Sequence, residues 1–385
     1  MFQTGSLKTE AAVARSSRIE AAPLQGKAEL ESVRASDVEM RAIDWLWPGR
    51  FAIGKIGVIA GLPDEGKGQI LCYLTARITR GQTWPIAEGR SRLGHVIILS
   101  AEEDPNDSLG PRLKAAGADL ERVTLIKMVS DLNEDGQPQK RMFSLVTDLE
   151  RLRQKIIAAG NVTAVLIDPI TAYLGVDEMD SYRDTDVRAV LGPLKELAEE
   201  MRIAVISVMH FNKKVDITNA LLRVSNSLAF VGLPRHVYAV VYDADNERTL
   251  FVRAKNNDVA KSDSQTLAFH FEVNEIGFDA KLGEPIRAPF IVWDAEYVDI
   301  SATEAMQAAS ENKSPGKRDE AKNLLLALLA DGQAVLQTEI EDVAKGHFIS
   351  QRTIRRAAKD LEVIVEKDRS TPKGGWSWKL PQQED

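Results

Sequence analysis

Residues 60–69 read Ala-Gly-Leu-Pro-Asp-Glu-Gly-Lys-Gly-Gln and lie between an apolar run and a helical pattern. Gly61, Gly66 and Lys67 hold the fixed positions of a phosphate-binding loop, G-x-x-x-x-G-K-[S/T]. Such a loop works where a strand feeds a helix. Its glycines let backbone N–H groups face phosphate oxygens, and the helix adds its positive end. Gly61, Leu62, Pro63, Asp64, Glu65, Gly66, Lys67, Gly68 and Gln69 are therefore expected to cradle a nucleoside triphosphate, with Lys67 reaching its β- and γ-phosphates. A glycine-rich turn with a chance lysine is the plainer alternative. One position departs from the pattern: Gly68 stands where a Ser or Thr hydroxyl holds Mg²⁺. The departure bears on the rate of hydrolysis more than on binding.

A chain of 385 residues exceeds the usual size of one domain, so two are expected. Its single cysteine, Cys72, excludes an internal disulfide framework and fits a reducing compartment. No run reaches the roughly 20 apolar residues of a membrane helix, and no signal-peptide pattern opens the chain. A cytoplasmic protein is expected. The net charge of -8 argues against indiscriminate coating of nucleic acid, while leaving room for a local basic surface.

The expected class is α/β. Residues 1–37, poor in large apolar side chains, read as a flexible arm, or as a segment docking on a neighbouring subunit. Residues 38–300 carry buried-strand runs at Ile56–Ala60, Val96–Leu99, Val123–Val129, Ala164–Ile167, Ala204–Met209 and Val237–Tyr242, the first five without strict alternation, as in a parallel sheet. Helical patterns cover Gln69–Arg80, Leu145–Ala159 and Val187–Met201, with Gly81 and Gly160 as stops and Pro193 as a kink or break. The runs Thr249–Ala254, Leu267–Val273 and Phe290–Ile300 lack long helices between them and suggest antiparallel edge strands. Residues 301–316 read as a polar linker. Residues 317–385 show three helical patterns, the third N-capped by Ser350, then two short strands, the order of a winged helix-turn-helix.

Three strand-like runs end in polar groups. Ala164-Val-Leu-Ile-Asp-Pro169 puts Asp168 at a strand tip, the Walker B position, where a carboxylate orders a Mg²⁺-bound water; a strand ending in an Asp-Pro turn reads the same way. Ile97-Ile-Leu-Ser-Ala-Glu-Glu-Asp104 brings acids that could polarise an attacking water. His210 ends a third run. In an α/β sheet the carboxyl ends of the strands form one ligand-binding rim. No Cys/His cluster has metal-ligand spacing.

Trp45-Leu-Trp-Pro-Gly, the phosphate-binding loop, Ser-Ala-Glu-Glu-Asp, Leu-Ile-Asp-Pro and His-Phe-Asn-Lys occur in that order. Together they resemble the RepA-type branch of RecA-fold P-loop ATPases, plasmid and phage hexameric replicative helicases, over roughly residues 40–260. The resemblance implies a ring-forming ATPase using ATP and Mg²⁺, with sites between subunits and loops gripping single-stranded DNA. It makes Lys67 the Walker A lysine, Asp168 the Walker B aspartate, Glu102 the catalytic glutamate with Glu103 as near alternative, and His210 the γ-phosphate sensor. It makes Arg235 an arginine finger donated to a neighbour, and Lys255 a second candidate for that role. The segment Phe211–Leu228 falls where DNA-facing loops lie, with Lys213, Lys214 and Arg223 as phosphate partners. The C-terminal unit resembles winged-helix domains found behind such modules; Gln351, Arg352, Arg355 and Arg356 are its candidates for a major groove, and a protein-docking role is the alternative. A nucleotide-dependent DNA-binding regulator or a replication scaffold with little ATPase activity remains the competing function.

Overall fold

The computed structural model describes residues 32–132, 136–175, 183–212, 221, 223, 227–260, 265–311, 315–330, 332–347, 349–367 and 375–381. Most of the expected N-terminal arm, Lys213, Lys214 and most of the expected wing thus lie outside the described residues.

The core is one mixed sheet of strands β1 (Ile56–Gly61), β2 (His95–Ser100), β3 (Val123–Ile126), β4 (Val162–Asp168), β5 (Ala204–His210), β6 (His236–Asp243), β7 (Arg248–Asn256), β8 (Leu267–Asp279) and β9 (Glu284–Trp293), in the order β9-β8-β7-β6-β1-β5-β4-β2-β3. Strands β6 through β3 pair in parallel, and β7, β8 and β9 add antiparallel on the β6 side, as their missing crossover helices imply. The run expected to reach Val129 ends at Ile126; Val129–Leu132 instead pairs with Pro138–Arg141 as a separate hairpin.

The parallel strands are apolar throughout because each face has its own cover. Val58, Ala60, Ile97 and Leu99 enter one core, with Leu152, Ile156, Val190 and Leu194 of helices α3 (Leu149–Ala159) and α4 (Asp184–Met201). Ile59, Val96 and Ile98 enter the other, with Ile70, Leu74 and Ile78 of α1 (Lys67–Arg80) and Leu113 of α2 (Gly110–Ala115). Gly81 ends α1 in the left-handed region (φ +58°) and donates to the Arg77 and Ile78 carbonyls. Pro193 does not divide α4, which runs through it as one helix.

The second core is dominated by aromatic rings. Trp47 stacks on Trp84 at 4.5 Å and Tyr238 on Phe251 at 4.5 Å, with Phe51, Tyr73 and Trp293 around them. The Trp-Pro-Gly turn is held there by Arg50, whose guanidinium lies 5.3 Å from the Trp47 ring centre and donates to the Glu88 carboxylate at 2.7 Å. Trp47 Nε1 donates to the same carboxylate at 2.6 Å. A buried charge needs such pairing.

Residues 301–316, expected as a linker, differ: helix α5 (Ala302–Glu311) seats Ala305 and Met306 in the first core. Small residues at helical spacing let it lie against β6 and β7. Beyond it, α6 (Pro315–Leu328), α7 (Gln337–Gly346) and α8 (Gln351–Asp360) surround a small core of Leu325, Leu329, Ile340, Ile354, Ala357 and Trp378. Ser350 Oγ accepts the Thr353 N–H at 3.1 Å, the expected N-cap. Strands β10 (Val335–Leu336), β11 (Ile364–Lys367) and β12 (Trp376–Lys379) form an antiparallel sheet in the order β10-β12-β11.

Candidate functional site

Strand β1 runs into the glycine-rich loop and α1 starts at Lys67, the context the loop chemistry requires. Gly66 adopts φ +93°, and a Cβ there would stand 2.7 Å from Phe271 Cζ. A Cβ on Gly61 would meet the Val240 carbonyl oxygen at 2.8 Å. Both positions therefore exclude a side chain. The Glu65 carboxylate accepts the Leu62 N–H at 2.9 Å and braces the loop. The Lys67 ammonium is largely buried and donates to the Leu62 carbonyl at 2.5 Å. Burial lowers its pKa, against the pull of Glu65 and Asp168.

Parallel register brings the other groups to the same rim. Gly61 pairs with His210 and Ser100 with Asp168, and the Ala101 N–H donates to the Asp168 carbonyl at 3.0 Å. Strand β5 lies between β1 and β4, so the Asp168 tip stands one strand removed from the loop, with space between. The resulting cleft, about 420 Å³, is lined by the loop, Lys67, Gly68, Gln69, Glu102, Glu103, Asp168 and His210, and also by Arg112, Phe271 and Pro289.

The two adjacent glutamates face different neighbours. Glu102, 61% exposed, has Oε2 4.0 Å from His210 Nε2. Glu103, 19% exposed, pairs with Arg112 and accepts from Ser108 Oγ at 3.4 Å. The half-exposed His210 has its pKa lowered, first by partial burial and then by Lys67.

Asp168 is pushed up to about 7, by burial first and then by the charges of Glu103 and Glu102. A carboxyl raised in the folded state favours folding while protonated. Its contribution is full below its ordinary value near 3.8 and is lost as pH rises through about 7. Asp168→Asn is thus expected to melt above the wild type without metal or nucleotide, by a margin that widens from about pH 5 to about pH 8. Thermal denaturation at both values checks this; a constant margin contradicts it.

The cleft suits a magnesium–triphosphate complex on two counts. The glycine cradle leaves room only for backbone and ligand, and the donors opposite Lys67 are hard carboxylate oxygens, which Mg²⁺ prefers.

Other expected residues lie elsewhere. Arg235 sits where β6 begins, at the opposite end of the sheet from its own cleft, and donates to Asp258 at 2.7 Å. Lys255 Nζ donates to the carbonyls of Val231, Gly232 and Pro234 at 2.6, 3.0 and 2.8 Å and so serves to fix that turn. Arg223 is buried, its guanidinium 5.6 Å from the Phe211 ring centre, rather than facing solvent as a phosphate partner. Gln351 and Arg355 both donate to Glu341, at 2.8 and 2.9 Å, and Arg356 pairs with Asp245 beyond β6. Arg352 is on α8 with them.

Arg112, Phe271 and Pro289 were not among the expected site residues. Arg112 follows the acidic run by a helical turn that carries no motif. Phe271 and Pro289 reach the cleft because β8 leaves β7 after Phe269 and crosses α1 and α2 with β9.

The family model of an AAA domain matches residues 21–216. None of the curated proteins matches the chain. Among solved structures it is similar to the ATPase domain of a phage replicative helicase, at 13% identity and a TM-score of 0.40, over 60% of this chain and 84% of that one.

Proposed function

This chain belongs to the AAA domain family of P-loop ATPases, and on that footing we propose that it is an ATP-driven DNA motor, a RepA-like replicative helicase or DNA-remodelling ATPase of a mobile element. The observation that carries the reading is the meeting of Lys67, Asp168, Glu102, Glu103 and His210, from four strand ends, around one cleft. Phosphoryl transfer to water asks the protein for positioning and charge rather than covalent chemistry.

Each residue has a part in that reading. Lys67 exchanges the Leu62 carbonyl for phosphate oxygens. The loop N–H groups and the α1 N-terminus take the remaining phosphate charge. Mg²⁺, bound with the nucleotide, neutralises charge developing on the phosphates. Asp168 orders the water around that ion. Glu102 takes a proton from the attacking water, and His210, beside it, reads the γ-phosphate. Arg235, exposed at the far sheet edge, serves a neighbour's cleft in a hexameric ring.

The DNA part rests on the resemblance to ring helicases and on the basic residues of α8. In this reading residues 317–385 form a winged helix. Arg355 exchanges Glu341, and Arg356 Asp245, for DNA, so nucleic acid binding releases contacts that hold α8. Single-stranded DNA passes through the ring. The missing hydroxyl at Gly68 makes basal hydrolysis slow.

The test is ATP turnover of the full chain with and without single-stranded DNA, beside a mass measurement of the assembly. The expected result is low turnover alone, a severalfold rise with DNA, and a ring-sized mass. Tight nucleotide retention in a monomer that never responds to DNA would favour the scaffold reading instead.

A further inference from the structure

Gly68 removes the hydroxyl with which a loop of this pattern holds Mg²⁺, and the structure shows what faces the gap. A Cβ at position 68 would stand 3.3 Å from Glu103 Oε1 and 3.4 Å from Asp168 Oδ2. The space a hydroxyl would fill thus opens on two carboxylates from different strands. Glu103 is held there, covered and paired with Arg112, while its neighbour Glu102 points to His210. Beside Gly68, Gln69 is 6% exposed and lines the same cleft, and its Oε1 is buried without a hydrogen-bond partner among the described residues. A buried acceptor of that kind calls for a donor, such as a metal-bound water. Mg²⁺ is commonly held by one or two carboxylates together with phosphates and retained waters.

We propose that Glu103 is the second protein anchor of the nucleotide-bound Mg²⁺, replacing the hydroxyl absent at Gly68, and that Arg112 is a positioning residue that keeps the Glu103 carboxylate at that spot. The inference rests on the nucleotide-binding reading above. It divides the adjacent acids: Glu102 serves the water and Glu103 the metal. It also explains how a loop ending in Gly-Lys-Gly retains the ion, since a longer side chain from β2 supplies the oxygen that α1 lacks. The carboxylate brings a full negative charge where the usual ligand is neutral, so metal binding offsets repulsion between Glu103 and Asp168 as well as phosphate charge.

The test is equilibrium binding of a fluorescent, non-hydrolysable ATP analogue to the full chain, with and without Mg²⁺, in wild type, Glu103→Gln, Gly68→Ser and the double variant. Mn²⁺ titration followed by electron paramagnetic resonance gives the metal affinity directly. Glu103→Gln is expected to lose about 10–100-fold in metal affinity, with metal-free analogue binding equal to or tighter than wild type. The double variant recovers part of the loss, and Gly68→Ser gains more in the Glu103→Gln background than alone. Should Glu103→Gln fail to fold, Arg112→Gln takes its place and is expected to weaken metal binding without weakening metal-free analogue binding. Wild-type metal affinity in Glu103→Gln, or equal gains from Gly68→Ser in both backgrounds, overturns the proposal. A wild-type chain that binds no analogue overturns the nucleotide reading itself, and is distinguished by failing before any variant is compared.

Discussion

Lys67→Ala will reduce ATP turnover by about 10²–10³-fold, the scale on which a single preorganised charge acts in a water-poor site. The side chain is buried at the head of α1, and its hydrogen bond to the Leu62 carbonyl, at 2.5 Å, is to the loop it serves. In the same cleft its charge is balanced by Glu65, Asp168 and Glu102. Removing it leaves the acids unopposed on the phosphate side, so binding of a triphosphate weakens along with turnover. Charge-assisted bonds of this kind contribute about 1.5–3 kcal/mol each. The fold loses little, because the Lys67 stem is small beside the core that α1 buries. A steady-state assay together with a thermal melt checks this. The account fails at this point if Lys67→Ala keeps wild-type turnover, or if its activity loss is matched by global unfolding.

The largest effect on stability is expected from Trp47→Ala. Trp47 is 0% exposed, stacks on Trp84, and meets Phe51, Tyr73, Phe251 and Trp293. Truncation opens a cavity the surrounding rings cannot fill, at a cost of about 3–5 kcal/mol. It also takes away a donor to the Glu88 carboxylate and the ring beneath the Arg50 guanidinium, leaving a buried ion pair less well matched. The melting temperature should fall by roughly 10 °C on the usual scaling for a domain of this size. The loop stands on β1 and α1, which border this cluster through Ile59 and Tyr73, so nucleotide binding should weaken in parallel with stability. Trp47→Phe, which keeps a ring, should lose much less. A melt of Trp47→Ala within a degree or two of wild type would show that the cluster does not hold the core.

The parts legible in the sequence are those set by short-range rules. Buried parallel strands need apolar residues on both faces, so Ile56–Gly61 and Ala164–Ile167 stand out as unbroken runs. Gly66 and Lys67 fall where one strand becomes a helix, and acids or histidine close three further strands, so the rim of the cleft follows from strand direction alone. The parts that are not legible depend on distant segments. The insertion of β5 between β1 and β4 has no local signature. Phe271 belongs to an edge strand by pattern, and reaches Gly66 only because its hairpin outruns the sheet. Residues 301–316 look polar, yet Ala302, Ala305 and Met306 fall on one helical face and find a sheet to cover. Arg223 reads as a phosphate partner because arginine is charged; its buried position over Phe211 follows from the fold of a loop whose sequence carries no such mark. Val335–Leu336 is too short to register as a strand and exists because Trp378 and Ser377 pair with it.

The central claim is that the loop of β1 and the acids of β2 and β4 enclose one magnesium–triphosphate. Calorimetric titration of the wild-type chain with a non-hydrolysable ATP analogue, with Mg²⁺ and then with a chelator, addresses it most directly. One saturable site per chain, weakened when the metal is withdrawn and nearly lost in Lys67→Ala, is the result the account predicts. Absence of saturable binding, or binding indifferent to both the metal and Lys67, would contradict it.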